Sequence, residues 1–151
     1  MCRMKLFLSF LFINLAFIAE ATHNRGGEIT YVHITGNTYQ FTITTCTKTS
    51  APADRTELEI NWGDGTGRDT VQRTTITAIP GEDAQKNIYV INHTYAGAGT
   101  FRVTMEDPNR NGGIVNIGGA SNSDQFPFCI ATEIVISPFI GPNNSVEFND
   151  C

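Results

Sequence analysis

A two-sheet β-sandwich is the fold class expected from this sequence, on three observations. Apolar residues recur at every second position in short segments, and no 3.6-residue apolar pattern outlasts a single turn. Gly-, Pro- or Asn-bearing turns separate those segments at regular intervals. The 151 residues include 10 Phe, 4 Tyr and 40% apolar side chains, enough for one core, while 14 Gly and 6 Pro favour turns and strands over helices. One domain of about seven to eight strands follows, with no helix of consequence.

The chain opens with an address. Arg3 and Lys5 precede an uncharged run from Leu6 to Ile18, and Ala19-Glu20-Ala21 supplies the small-x-small pattern of a signal peptidase site. The run falls short of the roughly 20 residues a bilayer-crossing helix needs. Residues 1–21 therefore read as a secretory signal peptide, and the exported part has no transmembrane segment. Cys2 precedes the apolar run, which is the wrong side for lipid attachment. The whole chain carries a net charge of −5, and removing Arg3, Lys5 and Glu20 with the leader makes it −6. That sign argues against nucleic acid as a partner.

The strands follow in order. Glu28–His33 is the first. Tyr39–Thr44, Glu57–Trp62 and Thr100–Met105 alternate most clearly, each with one apolar and one wet face. Between them lie Val71–Ile79 and Asn87–Asn92. A short strand is expected at Ile114–Ile117, and a last one at Phe128–Ile136, where Phe128, Ile130, Ile134 and Ile136 share parity. The domain is placed at 22–142 and a polar tail at 143–151. By parity Cys46 and Cys129 point away from the apolar face, so they could pair on an outer face if their strands are neighbours. Cys151 then remains as a loose thiol. Asn92-His93-Thr94 and Asn143-Asn144-Ser145 match the glycosylation sequon.

Three segments carry chemistry-capable residues. In Trp62-Gly63-Asp64-Gly65-Thr66, two glycines flank a carboxylate, which suits a tight turn whose Asp64 caps backbone amides. Calcium is the functional alternative there, with Asp64 and Asp69 as hard oxygen donors, but the D-x-D-x-D-G order of a calcium loop is missing. His93-Thr94-Tyr95, followed by Gly97, Gly99 and Phe101, reads as a strand end, a turn and the next strand, with Tyr95 placed to pin the corner through its hydroxyl. A catalytic His93 would need a nucleophile and an orienting acid, Asp64 or Asp107, and no hydrolase motif accompanies it. Glu106-Asp107 could ligate a cation, yet neighbours on a strand face opposite ways. No cofactor is expected, calcium at the loops of Asp64 and Asp107 excepted.

Together, Trp62-Gly63-Asp64-Gly65-Thr66, His93-Thr94-Tyr95 and Gly99-Thr100-Phe101-Arg102-Val103-Thr104 resemble a PKD (polycystic kidney disease) domain, an immunoglobulin-like sandwich. Residues 21–31 (ATHNRGGEITY), 53–66 (ADRTELEINWGDGT), 86–101 (KNIYVINHTYAGAGTF), 105–117 (MEDPNRNGGIVNI) and 136–145 (ISPFIGPNNS) are similar to the N-terminal region of large secreted Bacteroidota proteins. Those proteins are named for a gliding motility-associated C-terminal domain. The resemblance implies a non-enzymatic structural or adhesive module at the cell surface or in the medium. Its partners would be other sandwich domains of the same or neighbouring envelope proteins. It also implies Trp62, Gly63, Asp64, Gly65, His93, Tyr95, Gly99 and Phe101 as the structural motif. The ending VEFNDC departs from the continuation it implies, and a chain this short would be expected in the periplasm. A carbohydrate-binding module is the alternative, with Tyr31, Tyr39 and Tyr89 as the candidate platform for surface glycans.

Overall fold

The computed structural model describes residues 24–52, 54–118 and 122–146; the expected signal peptide, Cys2 and Cys151 lie outside them. Seven strands follow in chain order: β1 (Asn24–Thr35), β2 (Thr38–Thr47), β3 (Glu57–Asn61), β4 (Arg68–Ala78), β5 (Gln85–Thr94), β6 (Gly99–Asp107) and β7 (Phe128–Ile136). The one helical element among the described residues is a single 3-10 turn, Ser123–Gln125. All strand pairs are antiparallel.

The spatial order is β1-β2-β5-β4-β3-β6-β7. β1, β2, β5 and the second half of β4 form one layer, while the first half of β4 with β3, β6 and β7 forms the other. Read as letters, this is the A-B-E-D and C-F-G arrangement of an immunoglobulin-like sandwich. β4 turns the corner, pairing Arg68–Gln72 with β3 and Arg73–Ala78 with β5, with a register shift between Arg73 and Thr75. A bulge there lets one strand serve two layers.

The core comes from the inward parity of both layers. Phe41, Ile43 and Tyr89 from one meet Ile60, Trp62, Val103, Met105 and Ile134 from the other. Phe41 packs on Trp62 with ring centres 5.1 Å apart. At the layers' far side β1 approaches β7, and the chain after β7 closes the seam. The Ser145 amide donates to the Tyr31 carbonyl (3.0 Å), the Tyr31 amide donates to the Ser145 hydroxyl (2.7 Å), and the His33 amide donates to the Asn144 side-chain oxygen (2.8 Å). The Asn143 side chain donates to the Val135 carbonyl on β7. Residues 143–145, expected in the tail, thus belong to the folded body.

Two further expectations are corrected. Ile114–Ile117 is a turn, closed by the Ile117 amide on the Ile114 carbonyl (3.3 Å), with Val115 out in solvent. Its alternation is too short to recruit a neighbouring strand. Cys46 and Cys129 do not pair, because β2 and β7 lie in opposite layers whose outer faces point apart. Cys46 is disulfide-bonded, and Cys129 is a free, exposed thiol.

Candidate functional site

The site grows from the end of β3. Leu58, Ile60 and Trp62 share inward parity, so the indole enters the core just as the chain must turn back. The turn needs glycine: Gly63, Gly65 and Gly67 all have positive φ, at 75°, 85° and 102°. Gly63 also lies against β6, where a Cβ would stand 2.9 Å from the Arg102 amide nitrogen and collide with the Arg102 carbonyl oxygen.

Asp64 organises the loop. One carboxylate oxygen accepts the Thr66 amide (3.0 Å) and the Thr66 hydroxyl (2.6 Å), and the other meets His93 Nε2 at 2.8 Å. Its side chain is only 6% exposed. Burial works against the charge, but the hydrogen bonds from Thr66 and the approach of His93 outweigh it and hold the carboxyl at a pKa of about 2. Asp64 is therefore ionised at neutral pH, and His93 Nε2 must carry the proton it donates.

His93, near the end of β5, lies flat on Trp62, with centres 4.2 Å apart and planes at 9°. The indole N–H donates to Asp69 on β4 (2.8 Å). His93 also meets Tyr95 edge-to-face (4.7 Å), and Tyr95 stacks on Phe101 (4.4 Å). Gly99 makes room, since a Cβ there would sit 2.6 Å from the Phe101 ring. The expected motif residues Trp62, Gly63, Asp64, His93, Tyr95, Gly99 and Phe101 therefore converge, with Gly65 at the loop's rim. They tie β5 in one layer to the β3–β4 loop in the other.

One detail differs from expectation. The Tyr95 amide donates to the Asn37 carbonyl (3.1 Å), which pins the corner, but the Tyr95 hydroxyl is buried without a hydrogen-bond partner among the described residues. Burial, and the nearby Asp64 charge, push its pKa well above the usual phenol range. The corner is held by main chain and ring stacking, not by the hydroxyl.

Asp107 stands apart, at the far end of β6. Its carboxylate, 2% exposed, binds Arg55 Nε at 2.9 Å and accepts the Asn109 amide at 2.8 Å. Glu106 faces outward, as strand alternation requires. Asp64 and Asp107 thus do not share a site, and among the described residues no three His, Cys, Asp or Glu side chains gather as a metal would need. Tyr31, Tyr39 and Tyr89 are core residues, at most 7% exposed, so no stacking platform for a sugar is formed by them.

Chemically the arrangement is a clamp. The Thr66 hydroxyl, the one candidate nucleophile on the loop, donates to Asp64 and not to His93. A nucleophile–base pair is missing from the constellation. Reading the residues alone did not single out Arg55 or Arg73. Arg73 bonds Asp54 and the buried Asn87 (3.1 Å), and Asn87 in turn donates to Thr47 (2.9 Å). Partners 14 to 52 residues apart leave no local pattern. Among the described residues no helix is long and apolar enough to cross a membrane. No family model, curated protein or solved structure matches this chain.

Proposed function

We propose that this chain is a non-enzymatic immunoglobulin-like module with a structural or adhesive role, exported to the envelope of a bacterium and working at the cell surface or outside it. The observation that carries the reading is that His93, Asp64, Thr66 and Trp62 are all engaged with one another in holding two layers together. The resemblance of its motifs to PKD domains, and of its segments to gliding motility-associated secreted proteins, supports the same role. The leader at residues 1–21 supports export.

Two measurements on one preparation test it. The purified protein is expected to show no turnover on ester, peptide, glycoside and phosphoester substrates, and His93→Ala is expected to lower its melting temperature. Turnover that His93→Ala abolishes without changing the melting temperature would overturn the proposal. An antibody against residues 22–151 on fractionated cells then reports the compartment: a band at the surface or in the medium is expected, and a band confined to the cytosol would contradict export.

A further inference from the structure

β3 is paired along its whole length with β4 but with β6 through two residues alone, Ile60 with Met105 and Asn61 with Thr104. Toward the start of β3 the strands part, and the opening is a groove of about 460 Å³ whose charged lining is Arg55, Glu57, Glu59, Arg68, Glu106 and Asp107. Ladder phase decides which main-chain groups face it. The Arg73 amide donates to the Thr56 carbonyl at 2.7 Å, so Leu58 and Ile60 turn their peptide groups toward β4, while Glu57, Glu59 and Asn61 turn theirs toward β6. Asn61 meets Thr104 there. The next rung would join Glu59 to Glu106, and it is not made.

The groove therefore presents a short sheet edge with open N–H and C=O groups. Its charge is uneven. Arg55 is held by Asp107 and Arg68 by Glu59 (3.2 Å), Glu57 accepts the Gln72 side-chain amide (2.7 Å), and Glu106 has no ion pair among the described residues. Two guanidinium and four carboxylate groups leave the lining net negative.

We propose that this fork is a docking groove for an extended, basic peptide segment of a partner protein. The segment adds main-chain hydrogen bonds along Glu57–Glu59 and sets lysine or arginine side chains against Glu57, Glu59 and Glu106. The open edge selects an extended chain, and the negative lining selects a basic one. The proposal goes beyond the structural reading above and stands or falls separately, since a non-enzymatic module can exist with or without this groove.

The test is fluorescence polarisation of a labelled peptide that alternates lysine with valine and threonine, titrated with the purified protein. Saturable binding is expected. It should weaken about tenfold in the Glu59→Gln/Glu106→Gln variant, the sum of two exposed charge pairs, and stay unchanged in Glu133→Gln on β7. Against the unmutated protein, a central proline in the peptide should also weaken binding, because it removes a main-chain donor. Absence of saturable binding would overturn the proposal. So would equal affinity for the double variant and Glu133→Gln, or for the proline peptide and its parent, either of which means charge attraction alone.

Discussion

At the scale of single residues, the Tyr95 hydroxyl gives the sharpest expectation. A buried hydroxyl without a partner costs about 1–3 kcal/mol of desolvation, so Tyr95→Phe is expected to leave stability unchanged or raise it by up to about 1 kcal/mol in urea unfolding. A loss of more than that would mean the hydroxyl has a partner after all. Much at this scale was legible beforehand: Gly63 and Gly65 announce a turn that needs positive φ, and Asp64 between them announces a cap for backbone amides, of which the structure identifies that of Thr66. The stacking of His93 on Trp62 was not legible. It joins residues 31 positions apart, and only the pairing of layers brings them together. The Arg55–Asp107 pair was hidden for the same reason.

At the scale of elements, alternation located seven strands and both ends of β7, but it missed one or both ends of the others and the neighbours of all. β1 and β5 run past their apolar cores because the ladders with β2 continue through polar residues such as Thr45 and Lys86. Ile114–Ile117 shows the reverse: alternation without a partner strand stays a turn. The segment 143–145 looked like a tail because its residues are polar, yet those polar groups satisfy the edge of β1, which would otherwise expose bare amides. Ser145→Ala removes the acceptor for the Tyr31 amide and is expected to destabilise the protein by about 1 kcal/mol. Hydrogen exchange at Tyr31 should accelerate in that variant while Phe41 in β2 stays protected. Equal protection in both proteins would show that the segment does not seal the seam.

At the scale of the whole molecule, two antiparallel layers share β4 at one corner and are also joined by the contact of His93 on β5 with Asp64 and Trp62 beside β3. The sandwich itself was legible from period-two patterning and turn spacing. Its strand order was not, because sheet neighbours such as β2 and β5, or β3 and β6, are far apart in the chain. The central claim is that His93 and Asp64 form a clamp between layers and not a reactive pair. A double-mutant cycle of His93→Ala and Asp64→Asn, read by thermal unfolding across pH, tests it most directly. The Asp64 carboxyl is held at about 2 against an ordinary 3.8. Its contribution is therefore complete above about pH 4 and is lost as pH falls toward 2. The clamp requires a coupling of about 1–2 kcal/mol at neutral pH that fades through that acid window. Purely additive effects at neutral pH, with a melting temperature indifferent to His93→Ala, would contradict it.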